Sequence, residues 1–285
     1  MTSYSRFCYR MMGEYVIPLR KYFLDIKTDI QTAGMSFTLD EYISMAVFTA
    51  MVLFISETAA LAFIFGLFFN IFVSVALSLT LSFSMSVMLF FVFYSYPKTV
   101  SHSRADQIDR VLPFAVSYMS AIASGNTPPY YMFKTISRIS DYGEVSKEAG
   151  SIASNMKMFG MNFSDSVKRE SSRTPSKNFK EILWGINTTI SSGGNVKTYL
   201  REKSDLLIDD YRRKIRKYSQ DLSMLVEIYL TVIIVGSIFF IVLTSIMGGE
   251  GGLSMIMIQS FIVFVFLPLM SLGFIMLIKL RSPIK

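Results

Sequence analysis

From Tyr42 to Tyr96, 55 consecutive residues carry one formal charge, Glu57. That is enough for two helices of about 20 residues each across a hydrocarbon layer of roughly 30 Å, with Gly66–Asn70 (GLFFN) as the turn between them. A second apolar block runs from Met224 to Ile278 and is split by Met247–Gly252 (MGGEGG), whose four glycines cannot sustain a helix and readily form a tight turn. The two blocks predict four membrane spans in two hairpins. Composition agrees, because 52% hydrophobic residues and a mean hydropathy of +0.44 are too apolar for an ordinary soluble domain of 285 residues.

Neither hairpin turn holds a lysine or arginine, so the charge rule for membrane orientation places all 28 cations on one side. That puts both termini and the long central segment in the cytoplasm and leaves almost nothing outside, which argues against an extracellular binding domain. The charges scattered from Arg6 to Asp29 are not the pattern of a secretory signal. The expected organisation is a cytoplasmic N-terminal amphipathic segment (1–41), a hairpin (42–96), a cytoplasmic helical domain (97–223), a second hairpin (224–278) and a cytoplasmic tail (279–285). The protein is of the membrane, multi-pass.

The central segment has helical spacing throughout. Ile108, Val111, Leu112, Ala115, Tyr118, Met119 and Ile122 recur every three or four residues and mark one buried face. SGNTPP (124–129) ends that helix, with Gly125 as cap and Pro128 and Pro129 in the first turn of the next. Further helices are predicted over Tyr130–Ile139, Glu144–Phe159 closing at Gly160, and Asn162–Ser172 capped by Asn162 or Ser164. A fifth begins at Pro175 and buries Phe179, Ile182, Leu183, Ile186 and Ile190. After the break at SSGGN (191–195), a sixth runs from Val196 into the membrane. The fold class is all-α: four transmembrane helices flanking a cytoplasmic six-helix antiparallel bundle.

No constellation in the chain carries chemistry of its own. One cysteine, Cys8, excludes an internal disulfide and a cysteine zinc cluster, and one histidine, His102, in a linker just past the second span, excludes a multi-histidine metal site. SSGGNVKT (191–198) resembles a phosphate loop only superficially. Two residues separate Gly194 from Lys197, and a helix precedes the loop instead of a strand. Acidic pairs such as Asp209 with Asp210, or Asp141 with Glu144, fit solvated helix faces. The reading is a non-enzyme with no cofactor and no metal.

Charge and polarity give further candidates. YRRKIRKY (211–218) concentrates Arg212, Arg213, Lys214, Arg216 and Lys217, while Leu207, Tyr211, Ile215, Tyr218, Leu222 and Leu225 line one face of the same helix. Next to a span, such a cluster fits an anionic lipid surface better than nucleic acid. Glu57, Asn70 and Glu227 are the intramembrane polar residues, read as wet and interfacial or as contacts to another membrane helix. Ser74, Ser78, Ser82 and Ser86 form a stripe at intervals of four that suits close helix packing.

Several stretches in order carry a family resemblance: DRVLPFAVSYMSAIASGNTPPYYMF, FGMNFSDSV, RTPSKNFKEILWGI and SSGGNVKTYLREKSDLLIDDYRRKI, with QTAGMSFTLDEY before the first span. Together they resemble the type II secretion F family of membrane platform proteins, and the one-domain layout is similar to its Tad pilus and archaeal flagellum branches. The matching positions are Pro113, Gly125, Gly160, Ser164, Pro175, Phe179, Gly193 and Gly194. The resemblance implies a scaffold for a type IV pilus-like, archaellum or type II secretion machine. Its implied partners are a cytoplasmic assembly ATPase, pilin-like or archaellin subunits, and a second copy or paralogous platform subunit. Lys168, Arg169, Arg173 and Lys177, in loops expected to be membrane-distal, are the candidate ATPase contacts. The competing reading is a small-molecule transporter or permease subunit, disfavoured by spans with few ionisable groups and no evident inverted repeat.

Overall fold

The computed structural model describes residues 3–125, 127–247, 257 and 260–281, and every regular element among them is helical. The chain divides into two compact units, residues 1–205 and 206–285.

The first unit opens with α1 (Ser3–Val16), a 3-10 stretch (Ile17–Phe23) and α2 (Leu24–Thr32), which pack onto the start of α3 (Leu39–Gly66). Cys8, Val16, Ile26 and Ile30 share a core with Leu39, Tyr42, Ile43 and Met45. The start of α3 is fixed by a reciprocal cap: the Glu41 amide donates to Thr38 Oγ1 at 3.3 Å, and the Thr38 amide donates to Glu41 Oε2 at 2.9 Å. After the turn at residues 67–70 the chain returns as α4 (Ile71–Ser124), as the first hairpin predicts. Ser74, Ser78 and Ser82 are buried, and Ser86 donates across the hairpin to the Ala50 carbonyl at 3.0 Å. The serine stripe is therefore an internal packing surface.

α4 does not stop at the end of the apolar run. It is 54 residues long and contains both Pro97 and Pro113, so the linker expected around His102 is helical. Proline at position 97 deprives the Phe93 carbonyl, four residues earlier, of its helical donor. The Tyr42 hydroxyl of α3 supplies the missing bond at 2.8 Å, which is why the helix survives there.

Beyond the hairpin, the second half of α4 packs with α5 (Pro129–Ile136), α6 (Gly143–Met158) and α8 (Lys177–Ser191); α7 (Phe163–Ser171) packs on α6 and α8, and the first turns of α9 (Val196–Met247) meet α8 through Tyr199 and Lys203. Their core joins Ile108, Leu112 and Met119 to Phe133, Ile152, Phe179, Leu183, Ile186 and Leu200, all buried. Tyr118, expected inside, is 40% exposed, and Val116 takes the buried position. Asn162 is the cap of α7, accepting from the Asp165 amide at 2.7 Å. α8 starts two residues later than expected, because Ser176, not Pro175, receives the Phe179 amide at 3.0 Å. Gly160 and Gly193 have φ of +62° and +69°, which suits glycine at these two helix ends, whereas Gly125 caps α4 at an ordinary φ of −82°.

In the second unit α9 packs on α10 (Leu267–Arg281), which follows a π-helical turn, Ile262–Phe266. Tyr229 and Ser271 share a hydrogen bond at 3.1 Å, and the Tyr229 and Phe274 rings lie 4.9 Å apart. Among the described residues three helices are long and apolar enough to cross a membrane, Leu39–Gly66, Ile71–Ser124 and Val196–Leu243, with a shorter apolar helix at Phe264–Met276. The expected MGGEGG turn lies, from Gly248 onward, outside the described residues.

Candidate functional site

Two cavities in the first unit gather most of its unusual side chains. The first, about 720 Å³, opens where the N-terminal segment meets α4, and its wall includes Arg20, Lys27, Gly34, Asp40, Arg104, Glu148, Glu170 and Arg173. Arg104 stands eight residues past Tyr96 and holds it together. Its Nη1 donates to the Thr32 carbonyl at 2.5 Å, its Nε to Glu144 at 2.7 Å, and its Nη2 approaches Glu148 at 3.4 Å. Gly34 makes room for it. Its φ is +70°, and a Cβ there would meet Arg104 Nη1 at 2.8 Å.

The carboxylates around Arg104 differ in environment. Glu144 is held below the ordinary range: burial opposes ionisation, but hydrogen bonds from Lys147 and Arg104 outweigh it. Glu148, only 3% exposed, is pushed up to about 7, first by burial and then by the neighbouring Glu170 and Glu144 charges acting against Arg104. Glu170 is also raised, chiefly by burial. Glu148 Oε2 and Thr174 Oγ1 are buried without a well-formed hydrogen bond, although the threonine hydroxyl is near enough to favour the carboxylate. A proton on Glu148 would let it donate to that hydroxyl. Sequence reading took Glu144 for a solvated residue, but its side chain is 12% exposed. The missed signal was Glu148, which falls at helical spacing among Val145, Ala149 and Ile152, on the buried face of α6.

The second cavity, about 610 Å³, lies at the far end of α4 and is lined by residues from Ala123–Met132 and from Ile190–Lys197, including Gly193, Gly194 and Lys197. It brings the SGNTPP and SSGGN breaks together. The tip is 28 residues past Tyr96 along one helix, about 42 Å at 1.5 Å per residue.

The other predicted residues are distributed as follows. Lys168, Arg169, Arg173 and Lys177 are exposed, but they are not at the tip. Arg173 lines the Arg104 cavity, and Ser176 beside Lys177 donates to the Asp109 carboxylate, so this loop sits at the end of the domain nearest the α3–α4 hairpin. Pro113 and Phe179 are buried, and Ser164 and Pro175 are half-buried. The basic run is exposed yet partly compensated within its helix: Arg212 pairs with Asp209 at 3.4 Å, Arg213 with Asp210 at 3.4 Å and Lys214 with Asp210 at 3.0 Å. Asp210 is accordingly lowered, first by its hydrogen bond from Lys214. Glu57 is not at the outer turn. It stands nine residues before the end of α3, half-buried, with Oε2 shielded and without a hydrogen-bond partner among the described residues. Asn70 and Glu227 are exposed.

Among the described residues no group of three or more histidine, cysteine, aspartate or glutamate side chains is placed to hold a metal ion.

Comparison with known proteins adds two matches. The family described as Type II secretion system (T2SS), protein F, matches residues 115–244, which takes in the second cavity and every motif position named above except Pro113, and leaves out the N-terminal segment and Arg104. An uncharacterized protein of Methanocaldococcus jannaschii is 30% identical over 150 residues, 52% of this chain, and the match spans only 25% of that protein's length. No solved structure matches.

Proposed function

The chain belongs, through residues 115–244, to the type II secretion system protein F family, and from that premise we propose that it is the membrane platform of a filament or secretion machine. In this reading four spans in two hairpins, with both termini in the cytoplasm, hold a cytoplasmic bundle over residues 97–223. The bundle docks an assembly ATPase, and the membrane helices receive pilin-like subunits. The reading rests above all on one coincidence: the family match covers the larger part of a helical domain and the apolar helix that follows it, Val196–Leu243.

The work of the chain is mechanical. A nucleotide-driven partner would push on the domain, and the helices that continue into the bilayer would carry the displacement to a hydrophobic substrate helix. Two surfaces are available for docking. One holds the exposed cations Lys168, Arg169, Arg173 and Lys177; the other is the tip cavity with Lys197. The basic run from Arg212 to Lys217 would fix the joint between domain and bilayer against anionic lipid.

The test is a deletion strain together with affinity purification of the full chain. Loss of the filament or of secretion, and co-purification of a P-loop ATPase, are expected. Normal assembly with no ATPase recovered refutes the platform reading. Replacing the four α7–α8 cations by alanine, against Lys197→Ala alone, separates the two docking surfaces.

A further inference from the structure

α1 has three distinct faces. Cys8, Val16 and Ser5 are buried against the rest of the unit. Arg6, Arg10 and Glu14 share a second arc. Between the two runs an exposed apolar stripe, Tyr4, Phe7, Met11 and Tyr15, with exposures of 47%, 52%, 57% and 73%. At 100° per residue these four side chains fall within about 80° of the helix circumference. They form a continuous strip whose N-terminal end is met along one edge by Phe48 and Thr49 of α3, while about half or more of each side chain stays exposed.

The level at which α1 sits is set by its contacts. The Tyr4 hydroxyl bonds Thr49 Oγ1 at 2.8 Å, and the Tyr4 and Phe7 rings meet Phe48 at 6.3 and 5.6 Å. Phe48 and Thr49 lie six and seven residues inside the apolar run that begins at Tyr42, about 10 Å along α3 at 1.5 Å per residue. Further along, the Phe23 ring touches Phe90 at 6.0 Å and Tyr94 at 6.1 Å, close to where the second apolar helix leaves the run. The N-terminal segment therefore clasps the α3–α4 hairpin inside the limits of its apolar run.

We propose that α1 lies in the bilayer interface at the Tyr42 end of α3, with the Tyr4–Phe7–Met11–Tyr15 stripe sunk in lipid and the Arg6–Arg10–Glu14 face in the headgroup water. The partner is the bilayer itself. Interfacial helices bury their apolar face about 5–10 Å below the headgroups, which is the depth fixed by Thr49. Tyrosine at positions 4 and 15 suits such a place, since its ring is apolar and its hydroxyl is not. The arginines have stems long enough to reach water from that depth. The proposal rests on the reading of the α3–α4 hairpin as membrane-embedded.

The experiment uses the full chain in phosphatidylcholine–phosphatidylglycerol vesicles, with the single native tryptophan removed by Trp184→Phe. Tryptophan is placed singly by Tyr4→Trp, Phe7→Trp, Met11→Trp and Tyr15→Trp, by Arg6→Trp on the charged face, and by Phe83→Trp on the exposed surface of α4. With brominated acyl chains, the four stripe positions and Phe83→Trp are expected to lose most of their emission, more steeply at positions 4 and 7 than at 15. Arg6→Trp is expected to respond to aqueous iodide instead. Iodide quenching at the stripe equal to that at Arg6→Trp overturns the proposal, and so does insensitivity to both quenchers, which would mean that protein covers the stripe. If Phe83→Trp also ignores bromolipid, it is the membrane reading that fails; if Phe83→Trp is quenched and the stripe is not, only the α1 proposal does.

Discussion

Glu148 should make the protein less stable as the pH rises from mildly acidic to neutral. Its carboxyl is almost fully buried, and its pKa in the folded chain is pushed from 4.5 up to about 7. A carboxyl with a raised folded pKa binds more protons folded than unfolded between those two values, so stability falls with pH across that window and is flat outside it. At 1.36 kcal/mol per pH unit the loss is about 3 kcal/mol. Glu170 adds to the same trend. Glu144, lowered by Lys147 and Arg104, acts in the opposite sense only below the ordinary glutamate pKa, so it does not mask the effect. Glu148→Gln keeps the shape and removes the charge. The assay is thermal unfolding of the full chain in a neutral detergent, followed through Trp184 on α8. The wild type should melt roughly 5–10 °C lower at pH 8 than at pH 5, and the variant should lose most of that difference. A wild type that is as stable at pH 8 as at pH 5, or a variant with an undiminished slope, would refute the burial argument.

Three further outcomes follow from the same geometry. Gly34→Ala forces a Cβ into a left-handed backbone position and toward Arg104 Nη1, costing about 1–2 kcal/mol and lowering the melting temperature in the same assay. Arg104→Ala leaves Glu148 without its cation and Glu144 with Lys147 alone, and should cost about 3–5 kcal/mol at neutral pH, with part of the loss recovered on acidification; a loss independent of pH would count against the ionic account. Tyr42→Phe removes the donor that satisfies the Phe93 carbonyl, at about 1–3 kcal/mol, and hydrogen exchange should rise locally in the turn of α4 around Pro97 and nowhere else.

The apolar helical hairpin was legible because its signal is local. One charge in 55 residues leaves few alternatives, and GLFFN turns where it should. The domain helices were legible for a similar reason, since Asn162, Gly160 and Gly193 act within one or two turns of themselves. The Arg104 site was not. Its partners stand 40, 44 and 72 residues away, and Glu144 and Glu148, four apart on α6, look like any solvated acidic pair until the packing of α4 against α6 is known. The α7–α8 loop was misplaced because sequence gives the order of the helices but not which end of the bundle each loop reaches. The apolar stripe of α1 was hidden by the charges interspersed with it.

The continuity of α4 changes what a moving partner could do to this chain. If Pro97 opened a linker between span and domain, a push at the tip would be absorbed there. Instead, 54 residues, about 80 Å at 1.5 Å each, form one helix whose bond lost to Pro97, at the end of the apolar run, is restored from α3. The restoring group, Tyr42, belongs to the same core as Cys8, Val16 and Ile30, so the stiffness of α4 at that level depends on how the N-terminal segment grips the hairpin. Arg104 adds a second grip eight residues past Tyr96, through the Thr32 carbonyl. Displacement of the tip cavity is then expected as a tilt of the whole helix about these two contacts, not as bending at residue 97. Spin labels at Ser124 and at Phe83 should keep their mutual distance when the ATPase partner proposed above is bound and turning over. Tyr42→Phe combined with Arg104→Ala should broaden that distance, and an unchanged distribution in the double variant would mean that α4 owes its stiffness to something other than these two contacts.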